Sequence, residues 1–228
     1  MQTPDHLRPV NPIPPGVIAV VGAIALIELA FQAGALGLVG GPQAIGWRLE
    51  ALRDYAFSGE IVRWMWETGR WPADHLMRFL SYPFVNASFT QALIACVFLL
   101  ALGKLVAEAF GSWAFLAIFV VSGAGGALVY ALVIPGPAYL TGAFPPAYGL
   151  IGAFTWLLWT KLAQVGANQS RAFTLIAVLM GLQLVFGLIA GGNSEWVADL
   201  AGFATGFGLS FFLAPGGWAK ILSRLRQD

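Results

Sequence analysis

The chain has 228 residues, of which 58% are hydrophobic and only 10% are charged. A soluble domain of this length would carry about a quarter charged residues, so the composition excludes a soluble globular protein and indicates a polytopic membrane protein. The formal net charge of +1 gives no indication of nucleic-acid binding, and a single cysteine, Cys96, excludes a disulfide framework and a thiolate metal cluster.

Six apolar segments approach the roughly 20 residues that a helix needs to cross a bilayer. They span residues 16–40, 84–105, 113–134, 147–162, 172–190 and 197–213. The last three are shorter and rich in glycine, which is typical of helices packed inside a bundle. The sequence therefore predicts an all-α integral membrane domain over residues 16–214, between an N-terminal tail (1–15) and a C-terminal tail (215–228).

The first apolar segment carries a carboxylate, Glu28, near its middle, and Gln32 follows one helical turn later. An ionised carboxylate at bilayer depth costs about 2.5–3.5 kcal/mol, so such residues usually face the bundle interior or a partner. An internal hydrogen bond and a contact with a partner helix explain Glu28 equally well. Glu28 and Gln32 are therefore candidate partner-binding residues.

The stretch at residues 41–83, here called the first loop, is the longest one between the predicted spans. Leu49, Leu52 and Ala56 recur at helical spacing, and four tryptophans add amphipathic bulk that suits the lipid headgroup region. The tryptophans are Trp47, Trp64, Trp66 and Trp71. We expect an interfacial amphipathic element whose simpler role is anchoring in the membrane, and whose tryptophans are candidates for contact with a partner.

The distribution of basic residues predicts the orientation. With six spans both chain ends lie on one side of the membrane, together with the basic residues at the adjoining ends of the spans. That side collects Arg8, Lys104, Lys161, Arg171, Lys220, Arg224 and Arg226. On the other side every basic residue lies in the first loop, where acidic residues accompany them. The positive-inside rule therefore predicts that both termini are cytoplasmic.

Residues 141–153 read Thr-Gly-Ala-Phe-Pro-Pro-Ala-Tyr-Gly-Leu-Ile-Gly-Ala. This segment resembles the catalytic-serine helix of rhomboid intramembrane proteases, where Gly-x-Ser-Gly is followed by an aromatic residue one turn later and by small residues. The alignment places Phe144 at the nucleophile. Tyr148 matches the aromatic residue that packs beneath the catalytic histidine.

Residues 198–206, Ala-Asp-Leu-Ala-Gly-Phe-Ala-Thr-Gly, are similar to the last core helix of that family, Ala-His-x-x-Gly-x-x-x-Gly. Asp199 takes the place of the general base, and Gly202 and Gly206 match the glycines that let helices approach closely. We expect Asp199 to lie in the former active-site cavity, where it could accept a hydrogen bond from Gln91.

The junction between the first loop and the second span is a third region of resemblance. The residues that match the family pattern are Arg78, Pro83, Phe84, Ser88 and Phe89. In active relatives the oxyanion donors of the second helix are His and Asn, and these positions here hold Gln91 and Ala95. Gln91 can still donate a hydrogen bond, but Ala95 cannot.

The resemblance implies a six-transmembrane-helix rhomboid-like bundle with a long amphipathic first loop, in a bacterial inner membrane. The four positions that carry the chemistry in the family all hold other residues here. Phe144 has no hydroxyl to attack a peptide. Pro145 and Pro146 also remove two backbone N–H groups, one of them beside the nucleophile position, where the family recruits an oxyanion donor. We therefore expect that the chain is not an enzyme.

The resemblance to inactive rhomboids and derlins implies a pseudoprotease that binds transmembrane segments of partner proteins, as an assembly, escort or accessory subunit of a membrane complex. The alternative is an active intramembrane serine protease with displaced catalytic residues. Its candidate nucleophiles are Ser81, Ser88 and Ser122, whereas His6 and His75 lie outside the predicted spans. The sequence contains no cofactor or metal-binding motif, so we expect membrane proteins and the lipid bilayer as partners, and no cofactor or nucleic acid.

Overall fold

The computed structural model describes residues 12–136, 139–190 and 194–214, which are almost entirely helical. The elements in chain order are α1 (Pro15–Ala35), α2 (Trp47–Tyr55), β1 (Phe57–Ser58), α3 (Gly59–Thr68), α4 (Ala73–Ser81), α5 (Phe89–Phe110), α6 (Ser112–Val133), β2 (Tyr139–Leu140), α7 (Phe144–Gln164), α8 (Thr174–Ala190) and α9 (Trp196–Leu213). Short 3₁₀ turns lie at Gly41–Gly46, Tyr82–Phe84 and Gln169–Phe173.

Each of the six predicted spans contains one long helix, so the prediction of an all-α membrane protein is confirmed. Four of these helices, α1, α5, α6 and α9, are long and apolar enough to cross a membrane by themselves. The helix α8 has 17 residues, and α7 lies in the interior of the bundle. This arrangement is compatible with the predicted six spans.

The helix ends differ from the predicted segment ends for local reasons. The second long helix begins at Phe89, because Ser88 caps it: the Ser88 hydroxyl accepts a hydrogen bond from the backbone N–H of Gln91 at 3.1 Å. The first long helix ends at Ala35, ahead of Gly37, whose φ of +71° lies outside the helical region. The fourth begins at Phe144, so that Pro145 and Pro146 lie in the first helical turn, where proline is tolerated.

The helix α7 is the centre of the bundle. Every residue from Pro145 to Ala153 is buried, and the helix packs chiefly against α9, α6 and α5. A helix that is buried around its whole circumference must be enclosed by other helices. The main apolar core accordingly joins α7 residues such as Leu150 and Ile151 to residues of the surrounding helices.

Small residues set the distance between α7 and α9. A Cβ atom added to Gly202 would overlap the backbone of Pro145, and one added to Gly206 would overlap the backbone of Gly149. Gly152 of α7 faces the backbone of Phe203 in the same way. The two helices therefore pack backbone to backbone, an approach that larger side chains would prevent.

The first loop is an ordered unit that caps one end of α6. Its strand β1 pairs antiparallel with β2, with Phe57 opposite Leu140. The guanidinium of Arg63 donates hydrogen bonds to the carbonyl oxygens of Ala131, Ile134 and Gly136 at 3.1, 3.0 and 2.8 Å. Carbonyl groups at the end of a helix lack intrahelical donors, so Arg63 satisfies groups that the fold leaves free.

The helical spacing predicted within the first loop is seen in α2, which ends at Tyr55 just before Ala56. The helix α3 is the more clearly amphipathic one, with Val62 and Met65 buried and Trp66 exposed. A second apolar cluster, which includes Phe57, Met65, Tyr82, Tyr130 and Leu140, fastens the loop to α6. The loop thus has its own tertiary contacts with the bundle.

Candidate functional site

The first residue of α7 is Phe144, which lies half-buried at the end of the bundle that the first loop covers. The next two residues, Pro145 and Pro146, are buried against the glycines of α6. A Cβ atom on Gly126 would lie 3.0 Å from the Pro145 ring, and one on Gly123 would lie 3.1 Å from the Pro146 ring. This helix start therefore presents a phenyl ring, which has no hydroxyl, followed by two residues without a backbone N–H group.

The segment that leads into α7 is fixed against the turn that precedes α5. The backbone N–H of Gly142 donates to the carbonyl oxygens of Tyr82 and Val85 at 3.0 and 2.9 Å. Gly142 has a φ of +77°, a conformation that favours glycine. The Gln91 amide donates to the carbonyl oxygen of Thr141 at 3.1 Å.

The structure gives Gln91 a role in local architecture. Its amide oxygen accepts from the backbone N–H of Ala87 at 2.9 Å, while its amide nitrogen is bonded to Thr141. The expected hydrogen bond between Gln91 and Asp199 is therefore wrong, because both ends of the Gln91 side chain are bonded elsewhere. Ala95 is fully buried in the apolar core, where it has no polar group to offer.

Asp199 is buried in the first turn of α9, with 2% of its surface exposed. Its Oδ2 atom accepts a hydrogen bond from the amide nitrogen of Gln183, in α8, at 2.8 Å. The Asp199 Oδ1 and Gln183 Oε1 atoms accept no hydrogen bond in the part of the chain that the structure describes. Sequence reasoning missed Gln183, although an amide within an otherwise apolar helix is a signal that could have identified it.

Two tyrosines lie close to Asp199. Tyr82 is fully buried, and its hydroxyl donates to the carbonyl oxygen of Gly123 at 2.9 Å. Burial raises the pKa of the Tyr82 phenol well above its ordinary value, and the Asp199 carboxylate raises it further. Tyr82 therefore remains a protonated donor. Tyr148, one turn after Phe144, is also buried.

The candidate nucleophiles of a displaced protease have other partners or none. The Ser81 hydroxyl donates to the carbonyl oxygen of Tyr55, and Ser88 caps α5. Ser122 is fully buried beside Gly149, and its hydroxyl has no partner in the described ranges. The rings of His75 and Trp64 make an edge-to-face contact. Among the described residues, His75 forms no hydrogen bond with Ser81, Ser88 or Ser122. His6 lies outside the described residues.

Glu28 has its partners inside the chain. Arg48 of α2 forms an ion pair with Glu28 at 2.5 Å and a second bond at 3.0 Å, and Gln32 donates to the same carboxylate at 2.9 Å. Arg48 also donates to the carbonyl oxygen of Asn86 and lies over the ring of Phe31. Only 5% of Glu28 is exposed. Of the two explanations left open for Glu28, the structure favours the internal one. A contact of Glu28 and Gln32 with a partner stays a prediction.

The four tryptophans of the first loop divide into two groups. Trp47 packs on the end of α1, where it would collide with a Cβ atom on Gly40. The remaining three are exposed, with 40% of Trp64, 75% of Trp66 and 49% of Trp71 accessible. Trp66 and Trp71 form an edge-to-face pair with centroids 6.2 Å apart. Trp64 borders a surface pocket of about 320 Å³, which is lined by Ser58, Glu60, Ile61, Trp64, His75 and Tyr139.

Comparison with known protein families gives a match that covers more than half of the chain. The family model described as "Rhomboid domain" matches residues 73–216. The matched region begins at α4 and includes Phe144, Asp199, Gln91 and Ala95. A search of curated proteins finds no match.

Proposed function

Because this chain belongs to the rhomboid family, we propose that it is a pseudoprotease that binds transmembrane segments of partner membrane proteins. In this role it serves as an assembly, escort or accessory subunit of a membrane complex. The observation that carries the proposal is the start of α7, where Phe144 and Pro145 stand in place of a nucleophile and a backbone donor.

Peptide hydrolysis by a serine enzyme requires a hydroxyl within hydrogen-bond reach of a base. At the family's nucleophile position the side chain is a phenyl ring, and at the base position Asp199 is bonded to Gln183. Losing one oxyanion donor alone costs a soluble serine protease about 10²–10³ in rate. Here the donor positions hold Gln91, which is bonded to Thr141, and Ala95, which has no donor. These features together support a protein that binds without cleaving.

Binding of a transmembrane helix is compatible with the surface of the bundle. Within a bilayer there is no hydrophobic force between helices, so association depends on close packing and on interhelical hydrogen bonds. The helix α8 presents Val178, Leu182 and Val185 with more than half of each side chain accessible. Because α8 also carries Gln183, a polar group lies next to this apolar surface.

The location of the protein is part of the proposal. We place it in a bacterial inner membrane with both termini in the cytoplasm, on the basis of the basic residues in the tails, in the C-terminal halves of α5 and α7, and in the connection after α7. The exposed Trp66 and Trp71 then lie at the opposite membrane surface, where tryptophan favours the headgroup region. At that surface these residues anchor the first loop and are open to a partner.

The test uses the purified full chain in lipid nanodiscs with fluorescent single-span peptides. We expect saturable energy transfer from the protein's tryptophans to the peptide label, intact peptides by mass spectrometry, and no labelling by a fluorophosphonate probe beyond that of the heat-denatured protein. Cleaved peptide, or labelling that disappears in Ser81→Ala, Ser88→Ala or Ser122→Ala, would overturn the proposal in favour of a displaced serine protease. Absence of peptide binding would also overturn it.

A further inference from the structure

The Asp199–Gln183 pair has more acceptors than donors. The two side chains present three oxygen atoms, and only Asp199 Oδ2 receives a hydrogen bond from a described residue. Tyr82 cannot supply the missing donor in its present geometry, because its hydroxyl is bonded to Gly123. Among the described residues, the ion pairs of Arg48 and Lys104 go to Glu28 and Glu108. A buried acceptor without a donor costs free energy, and a buried carboxylate costs more.

From this imbalance we propose that Asp199 and Gln183 recognise a basic side chain, lysine or arginine, in the transmembrane helix of a partner. The inference rests on the proposed function, and it specifies the partner's chemistry. A lysine ammonium or an arginine guanidinium contains donors only. Such a group would complement Asp199 Oδ1 and Gln183 Oε1 without competing for the Gln183 amide hydrogens.

The pair connects the interior of the bundle with its outer surface. Asp199 is buried, whereas Gln183 is only partly buried and belongs to α8. Of the α8 side chains that the structure describes, Ile176 is the one that is buried, so most of the described side chains of this helix face outward. A partner helix that packs along α8 would therefore place its side chains beside Gln183. Asp199, which is hydrogen-bonded to Gln183, lies directly behind it in the bundle.

The energetic argument applies to both proteins. A basic residue within a transmembrane segment is costly on its own, and so is a buried acid. Bringing the two together offsets both costs, while a purely apolar helix gains nothing from Asp199. Because Asp199 is the fourth residue of α9, the partner's basic residue is expected within the first two turns from the membrane surface that the first loop covers.

The experiment measures affinity in nanodiscs for a series of otherwise identical leucine–alanine single-span peptides. One position, four residues from the end on the first-loop side, is Leu, Lys, Arg or Glu. We expect the Lys and Arg peptides to bind about ten-fold more tightly than the Leu peptide. We expect the Glu peptide to bind more weakly than the Leu peptide. This series uses the unmodified protein, so its result does not depend on the folding of a variant.

Two variants then assign the preference to the site. Asp199→Asn should abolish the difference between the Lys and Leu peptides. Glu28→Gln, a matched change at the second buried carboxylate of the described residues, should preserve that difference. Equal binding of the Lys and Leu peptides to the native protein would overturn the inference but leave the proposed function in place, as would a preference that survives Asp199→Asn. If no peptide binds, the proposed function itself fails.

Discussion

At the scale of single residues, the two buried carboxylates among the described residues have different environments. Glu28 is neutralised by Arg48 and is bonded to Gln32, so its charge is matched within the fold. Asp199 has one bond from a neutral amide and a second oxygen without a partner in the described ranges. Glu28 therefore has a structural role, whereas Asp199 retains unused hydrogen-bonding capacity.

The ion pair between Glu28 and Arg48 leads to a stability prediction. Removing Arg48 in Arg48→Ala leaves Glu28 buried without a counter-charge and removes the bond to the Asn86 carbonyl. Breaking a buried pair usually costs about 3–5 kcal/mol, and we expect about 2–3 kcal/mol here because Arg48 is partly exposed. Thermal unfolding in detergent should show the loss. Arg53→Ala, an exposed site on the same helix, should change stability by less than about 0.5 kcal/mol, and equal effects of the two variants would contradict this role for Arg48.

A second residue-scale prediction concerns restoring the family's catalytic residues. The double variant Phe144→Ser/Asp199→His should not be an efficient protease. The nucleophile and base would return, but Ala95 would still lack a donor and Pro145 would still lack an N–H group. Truncating the half-buried Phe144 should also destabilise the protein by about 2–3 kcal/mol. The measurements are turnover of a panel of transmembrane substrates in lipid and the unfolding midpoint, and turnover comparable to that of an active rhomboid would contradict the prediction.

At the scale of elements, the contact between α7 and α9 depends on the absence of side chains. Gly149, Gly152, Gly202 and Gly206 lie where the two backbones meet, and the start of α7 is inserted between α6 and α9. In a bilayer, such close packing replaces the hydrophobic effect as a source of helix association. The same contact fixes the position of Asp199 relative to the start of α7.

This contact predicts that alanine substitutions at two glycines of α9 have very different effects on stability. Gly206→Ala would push a methyl group into the backbone of Gly149, and we expect a loss of about 2–3 kcal/mol from overpacking. Gly208→Ala meets no atom within 4 Å, so it should be neutral or slightly stabilising because alanine favours a helix. Unfolding of the two variants in the same detergent gives the comparison. A Gly206→Ala protein as stable as Gly208→Ala would show that the helices are further apart than the structure places them.

At the scale of the whole molecule, most of the polar contacts described above lie at one end of the bundle. The first loop, the strand pair β1–β2, and the starts of α5, α7 and α9 lie at that end. Toward the other end, the described residues include Lys104 in the C-terminal half of α5, Lys161 in the last turn of α7, and Arg171 in the connection between α7 and α8. The starts of α7 and α9, which carry Phe144 and Asp199, therefore lie toward the membrane surface that the first loop covers.

The proposed orientation can be tested with single cysteines in a Cys96→Ser background. Glu67→Cys lies on the exposed surface of α3, and Gln164→Cys lies at the exposed end of α7. With cytoplasmic termini, a membrane-impermeant maleimide added to intact spheroplasts should label position 67, and it should label position 164 only after lysis. The reverse pattern would place the first loop, and the start of α7, in the cytoplasm.

The sequence by itself was sufficient for the family and for the six long helices. That Phe144, Asp199, Gln91 and Ala95 occupy the family's catalytic positions stays a prediction. Hydropathy located all six long helices, because a bilayer-spanning helix needs a run of apolar residues that is visible in a single sequence. The motif around Phe144 and the spacing of Gly202 and Gly206 are equally local. The ends of the helices were less accurate, since they depend on caps such as Ser88 and on the proline pair that starts α7.

Only the tertiary structure decided how the polar side chains pair. Glu28 of α1 binds Arg48 of α2. Asp199 binds Gln183 of the preceding helix, although Gln91 was the partner expected from the sequence. Each pairing depends on how two helices are rotated and how deeply they pack against each other. A single sequence records which residues are polar, but the partner of each one depends on distances between segments that are not neighbours along the chain.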